Sequence, residues 1–152
     1  MATVYGVNAT KKYINNPSEK IPAREETGKG RWIYDKYVFP ANVFAVNDLI
    51  SLMKLPKGAK ILGAIVKAPS LGTTGIFDLG ILANGVDAAD QDFFVASADA
   101  GGQAVQKNNL SSLAAGTFVE LGAETQVLLK CTEATDAALG LTIEVAVNYS
   151  VE

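Results

Sequence analysis

The chain of 152 residues contains no histidine and a single cysteine, Cys131. Histidine is the usual general base near neutral pH and the commonest metal ligand, so its absence excludes Ser-His-Asp and Cys-His catalysis. One cysteine excludes an internal disulfide and any zinc site built from several thiolates. Cys131 shares a predicted strand face with Val127 and Leu129, so we expect a buried small hydrophobe and not a nucleophile.

Other signatures of chemistry are missing or weak. There is no GxxxxGK[ST] phosphate loop. Four aspartates could offer oxygen ligands to calcium, but their spacing does not match the twelve-residue calcium loop, and helix capping explains the first two better: Asp87, Asp90, Asp92 and Asp99. A carboxylate-pair hydrolase built from strand glutamates stays a third-ranked alternative. We predict no catalytic residue, no metal site and no cofactor, and expect that the protein is not an enzyme.

Charge is scarce and unevenly distributed, at 19% of residues against 49% apolar. Residues 1–74 carry 11 basic and 5 acidic side chains, whereas residues 75–152 carry 2 basic and 11 acidic side chains. The basic residues are spread out and mixed with glutamate, so nucleic acid is not an expected partner. Halves of opposite sign fit packing between neighbours in an assembly, and scattered solvated charge is the plainer alternative.

Long apolar runs are also missing. The N-terminus lacks the apolar core of a signal peptide, and no run approaches membrane-spanning length. We therefore expect synthesis in the cytosol, no membrane partner, and a soluble protein until it assembles.

The first 31 residues differ from the rest of the chain, because their apolar residues are isolated among prolines, glycines and charges. Such a segment cannot fill a core alone. We predict two parts, an extended N-terminal arm at 1–31 and a β-sandwich domain at 32–152, with a disordered terminus as the alternative for the arm. The expected partner-binding residues of the arm are its apolar anchors and basic side chains: Tyr5, Lys11, Lys12, Tyr13, Ile14, Lys20, Ile21 and Arg24.

The sandwich domain is predicted to be mainly β. Turn residues and alternating apolar residues indicate strands at 32–39, 47–55, 59–68, 75–82, 117–121, 125–132 and 139–151. The last of these has strict period-two patterning. Residues 86–100 are predicted as one short helix capped by Asp87, and residues 100–110 as a loop. Seven or eight strands with short turns and one helix indicate a jelly-roll-like antiparallel β-sandwich.

Aromatic residues cluster in the strand at 32–39. Trp32 and Tyr34 fall on one face, and Tyr37 and Phe39 on the other. No single flat strip forms, so core and interface packing is favoured over a platform that stacks sugar rings.

Four motifs carry a resemblance. LPKGAKIL at 55–62 and GTTGIFDLGI at 72–81 form a turn-strand-turn-strand unit, followed by DAADQDFFVASADA at 87–100 and TEATDAALGLTIEVAVNYSVE at 132–152. Together they resemble the head decoration, or cement, proteins of bacteriophages from about residue 47 to the end of the chain. The arm is not covered by this resemblance.

The resemblance implies a structural virion protein with a jelly-roll fold and no catalytic residues. Its implied partners are the major capsid protein and other copies of itself, commonly as a homotrimer. Its implied place is the exterior of the capsid in a virion assembled in the host cytoplasm. The alternatives are a tail- or fibre-associated module and a carbohydrate-binding module.

Overall fold

The computed structural model describes residues 30–108 and 118–151. Within these ranges eight β-strands form two four-stranded antiparallel sheets. The strands are β1 (Arg31–Val38), β2 (Leu49–Leu55), β3 (Lys60–Ala68), β4 (Ile76–Ile81), β5 (Asp90–Asp99), β6 (Val105–Asn108), β7 (Thr125–Glu133) and β8 (Thr142–Ser150).

The strand order explains how one chain makes two packed sheets. The first sheet is ordered β1-β8-β3-β6 and the second β2-β7-β4-β5. The hydrogen-bonded neighbours therefore include the pairs β1–β8, β2–β7, β3–β6 and β4–β5. In sequence order these are the successive strand pairs, or rungs, of one long antiparallel hairpin that is folded over on itself. This is the rolled arrangement of a jelly roll. The predicted fold class, a jelly-roll-like antiparallel sandwich, is confirmed.

The core lies between the two sheets. Period-two alternation places Ile143, Val145, Val147 and Tyr149 of β8 inside, as the sequence predicts. On the facing sheet Leu79 of β4 is buried, as are the β7 residues that share a face with it: Val127, Leu129 and Cys131. The prediction that Cys131 is a buried small hydrophobe is confirmed.

The helix predicted at 86–100 is wrong, because this segment contains β5, the edge strand of the second sheet. The misleading feature is a pair of irregularities. Only Gly80 separates Leu79 from Ile81 in β4, whereas their partners Val95 and Asp90 in β5 are separated by four residues. Phe93, Phe94 and Val95 are consequently all buried, and the alternation that marks a strand disappears.

Two further boundaries differ from the sequence prediction. The loop predicted at 100–110 contains β6, which pairs with the end of β3. Of the strand predicted at 117–121, residues 118–121 run beside the start of β3, where the Phe118 N–H donates to the Ile61 carbonyl at 2.8 Å, but they make a single bridge, Lys60 with Glu120, and no regular strand. Local patterning underestimates β6 because four residues on a sheet edge offer little periodicity.

The sandwich has two distinct ends. At what we call the N-terminal end, β1 begins at Arg31, β8 ends at Ser150, and β3 starts at Lys60, with Arg31 and Ile61 both opposite Tyr149. The turns at 56–59, 82–89 and 121–124 close this end. The turns at 39–48, 69–75, 100–104 and 134–141 close the other, which we call the far end.

Candidate interaction surfaces

The eight arm residues predicted to bind partners all lie outside the described residues, in the segment 1–29. Their placement at an interface stays a prediction. The structure does show where that segment joins the sandwich, since Gly30 leads directly into β1 at the N-terminal end.

The outer face of the first sheet presents two large aromatic side chains. Trp32 is 58% exposed and Tyr34 is 56% exposed, two residues apart on β1. Tyr37 and Phe39 point the other way, with ring centroids 5.2 Å apart in an edge-to-face arrangement. The predicted division of these aromatics between two faces is confirmed. Half of them serve the core and half remain available to a partner.

A shallow groove of about 170 Å³ runs beside Tyr34, between β1, β8 and β3. Its floor is apolar, formed by Ile65 and Ala146, and Lys67 and Glu144 stand at its side. The Tyr34 hydroxyl donates a 2.7 Å hydrogen bond to Glu144 Oε1, and this bond with the nearby carboxylate raises the pKa of Tyr34. The bond fixes the ring over the sheet.

A larger pocket of about 310 Å³ opens at the N-terminal end. Its walls come from three separate parts of the chain: the end of β4, the start of β5 with the preceding turn, and the segment beside β3. The lining residues are Ile81, Asp87, Ala88, Ala89, Asp90, Phe93, Val119 and Leu121. The walls are therefore largely apolar, with two carboxylates among them.

The turn that forms one wall is held in place by side-chain hydrogen bonds. Asn84 Oδ1 accepts from the Asp87 backbone N–H at 2.6 Å, and Asn84 Nδ2 donates to Asp87 Oδ2 at 2.6 Å. The same Asp87 oxygen accepts from the Gly122 N–H at 2.9 Å. This network joins the turn before β5 to the turn before β7, so the pocket is preformed.

Asp90 on the pocket wall lies beside a second carboxylate, that of Asp92. Burial raises the pKa of the Asp90 carboxyl, and its hydrogen bond and repulsion with the Asp92 carboxylate raise it further. A cationic group placed between them would relieve that repulsion.

Two exposed apolar residues directly precede lining residues of the pocket in the sequence, Val86 before Asp87 and Phe118 before Val119. Val86 is 70% exposed and Phe118 is 67% exposed, and Val119 on the pocket wall is partly exposed. Phe118 also has a φ of 65°, a left-handed conformation that bulky residues seldom adopt. Exposed apolar groups around a preformed pocket are typical of protein-binding surfaces.

No group of three or more carboxylate or thiol side chains within 30–108 and 118–151 is arranged to hold a metal ion, the aspartates considered for calcium included. Burial raises the pKa of Cys131 to about 11, which disfavours the thiolate.

Sequence reasoning did not find the pocket. Its lining comes from residues up to 40 positions apart, which only the two-sheet topology brings together. The one local signal is Val86 followed by Asp87, an apolar residue in a turn, and the sequence pattern at that point predicts a helix instead.

No protein-family model matches the sequence, and a search of curated proteins gives no match. Solved structures do match. One is a chain from the capsid of Ralstonia phage GP4, with a TM-score of 0.68 and 20% identity, covering 82% of this chain and 86% of that one. Another is a chain from the capsid asymmetric unit of cyanophage Pam1, with a TM-score of 0.58 and 17% identity. That match covers 92% of this chain and 99% of that one. These likenesses establish a shared fold.

The part of the chain that the structure describes also contains no helix long and apolar enough to cross a membrane.

Proposed function

We propose that this protein is a structural component of a phage virion, a decoration protein that binds the outer surface of the capsid and stabilises the shell. The observation that carries the proposal is the match of nearly the whole fold to chains from two phage capsids. Independently of that match, the sequence motifs at 55–62, 72–81, 87–100 and 132–152 resemble those of bacteriophage head decoration proteins.

The proposed mechanism is mechanical. Each copy contributes modest contacts to the major capsid protein and to neighbouring copies, and the closed symmetric shell repeats those contacts many times. The exposed residues Trp32, Tyr34, Val86 and Phe118 would supply apolar contact area. The arm at 1–31 would lie on an adjacent subunit, and the family resemblance implies that copies associate as trimers.

The decisive experiment is quantitative mass spectrometry of purified virions, giving the copy number of this protein relative to the major capsid protein. A ratio near one, or a simple fraction such as one third, is expected for a lattice-wide decoration protein. A few copies per particle would place it at the tail or portal. Absence from the particle would refute the virion assignment.

The arm's role is tested separately by deleting residues 1–30. We expect a folded sandwich, by far-UV circular dichroism, that no longer sediments with capsids. Normal capsid binding by the shortened protein would contradict a binding role for the arm.

One observation favours a second function, carbohydrate binding. Trp32 and Tyr34 are exposed side by side next to a groove that carries Lys67 and Glu144, which is the combination of stacking and polar groups that sugars require. Glycan-array binding lost in Trp32→Ala, but kept in the exposed far-end variant Leu139→Ala, would support this function. No binding by the wild-type protein would exclude it for the glycans present.

A further inference from the structure

The pocket at the N-terminal end and the attachment point of the arm lie on the same side of the sandwich. Across this end the order is β1, β8, β3 and then the segment containing Val119, whose carbonyl accepts from the Ile61 N–H at 2.9 Å. Adjacent strands are ~4.8 Å apart, so the start of β1 and the pocket wall are separated by ~14 Å. Any arm leaving β1 therefore starts close to this pocket.

The arm contains a segment that matches the pocket chemically. Residues 11–14 read Lys-Lys-Tyr-Ile, two cations followed by two large apolar side chains. The pocket has the complementary arrangement, with apolar walls that include Ile81, Phe93 and Val119 and with Asp87 and Asp90 beside them. Opposite charges at the rim fix the register of a peptide whose apolar side chains fill the centre.

The arm is long enough to reach a neighbour. Sixteen residues separate Ile14 from Arg31, and in extended form they span ~50 Å. This exceeds the ~30 Å diameter of a small domain. The segment can therefore serve a second copy placed beside the first.

The exposed surface around the pocket is too wide for a four-residue segment alone to cover. Val86 and Phe118 are exposed next in sequence to the lining residues Asp87 and Val119, and Trp32 is exposed near the start of β1 at the same end. A second copy that approaches this end covers these side chains with its body while its arm fills the pocket. An arm folded back onto its own chain would leave them in water.

We infer that the pocket lined by Ile81, Asp87, Asp90, Phe93 and Val119 binds residues 11–14 of a second copy of this chain. Tyr13 and Ile14 enter the apolar part, and Lys11 and Lys12 lie against Asp87 and Asp90. The inference deepens the proposed function, since it rests on an assembly in which copies are neighbours, and it names those copies as the partner of the arm.

Cysteine cross-linking of the full-length purified protein tests this inference without capsids. A Tyr13→Cys chain is mixed with a Val119→Cys chain at high concentration under mild oxidation, and disulfide-linked heterodimer is quantified by mass spectrometry. The native Cys131 is buried, so it does not compete. The matched control pairs Tyr13→Cys with Leu139→Cys, which is 59% exposed at the far end. Val86→Cys at the pocket rim replaces Val119→Cys if that variant fails to fold.

We expect several-fold more heterodimer from the pocket pair than from the control pair. Adding Lys11→Glu and Lys12→Glu to the arm should remove the excess, and adding Asp90→Lys to the pocket chain, which leaves the Asp87 hydrogen bonds to Asn84 and Gly122 in place, should restore part of it. Equal yields from the two pairs would overturn the inference. So would a Tyr13→Cys/Val119→Cys double variant that forms only an intramolecular disulfide, because the arm would then serve its own chain.

The two proposals fail in distinguishable ways. Virion mass spectrometry reports on the capsid role whatever the cross-linking result. Cross-linking reports on the arm and pocket even if the protein is absent from virions.

Discussion

Gly80 is the position where a single methyl group should do most damage to this fold. It lies in β4 opposite the four-residue irregularity of β5. A Cβ at this position would lie 2.2 Å from the Asp90 carbonyl oxygen and 2.3 Å from the Gln91 carbonyl carbon. Both are backbone atoms, so no side-chain rotation can relieve the contact.

The expected cost follows from that geometry. Ordinary contact at a Cβ begins near 3.4 Å, so β5 must move away from β4 by more than an ångström. Overpacking a well-packed interior costs typically about 1–3 kcal/mol. Because only backbone can yield here, we expect Gly80→Ala to lose about 3 kcal/mol, which lowers the melting temperature of a 150-residue domain by roughly 6–12 °C.

Urea unfolding followed by far-UV circular dichroism measures this loss, with Gly58→Ala as the control. An added Cβ at Gly58 meets nothing within 4 Å, but its φ of 75° is left-handed, so that substitution should cost only about 1–2 kcal/mol. A loss below about 1 kcal/mol for Gly80→Ala would refute the close approach of β4 and β5, and with it the description of the pocket wall that β5 provides.

Four further outcomes are expected. Phe94→Ala should lower the free energy of unfolding by about 3–5 kcal/mol in the same assay, because the ring is fully buried. Phe118→Gly should lower it little or not at all, because the ring is exposed and glycine relaxes the left-handed backbone, and equal losses in these two variants would contradict the burial pattern. Asp136 accepts hydrogen bonds from the Thr73 N–H at 2.7 Å and its hydroxyl at 2.5 Å, which lowers the pKa of the Asp136 carboxyl. That stabilisation is present above the unfolded carboxyl pKa of about 3.9 and is lost as the pH falls through the lower folded pKa. Asp136→Asn should therefore have a lower melting temperature than wild type at pH 7, and this difference should disappear in acid. A difference that does not depend on pH would show that the charge is unimportant. Cys131 should resist a thiol reagent in the native protein at pH 8 and react after unfolding, since its pKa is raised to about 11, and rapid native labelling would contradict its burial.

The strands that the sequence predicts well are those whose neighbours are regular. β8 alternates strictly because it is central in its sheet, with one face on the core, and its inward residues were all identified. The turn after Leu55 was identified because Pro56 and Gly58 define its geometry locally, and Gly58 does adopt a positive φ. Local chemistry decides both features, so local reasoning recovers them.

β5 was missed because tertiary pairing, and not local preference, determines it. Aspartates before an apolar run resemble the start of a helix. In the structure this run pairs with β4 as a strand, with irregularities at Gln91–Phe94 and near Ser97, whose φ is 53°. The Ser97 N–H is held by Asp78 Oδ1 at 2.7 Å, from the neighbouring strand. A contact between residues 19 apart leaves no signature in a local window.

The same reasoning explains what could be predicted of the candidate site. The opposite charges of the two halves of the chain are visible in the sequence, and the two aspartates that line the pocket belong to the acidic half. The pocket itself depends on three turns meeting at one end of the sandwich, which requires the topology. Its apolar rim at Phe118 follows a stretch of serine and alanine in which no periodic pattern singles it out.

The rolled hairpin has a consequence for how the protein folds. The innermost rung, β4 with β5, joins strands separated by a short turn, whereas the outermost, β1 with β8, joins residues such as Tyr34 and Glu144 that are 110 positions apart. Loop closure grows more costly with length, so we expect rungs to form from the inside outwards and the domain to fold slowly, in milliseconds to seconds. The wall of the pocket that β4 and β5 provide then forms early, and β1, which follows residues 1–30 along the chain, is fixed last. Under the inference that residues 11–14 of a second copy bind this pocket, a partly folded chain would accept that segment before its own β1 is in place, so assembly would begin before folding ends.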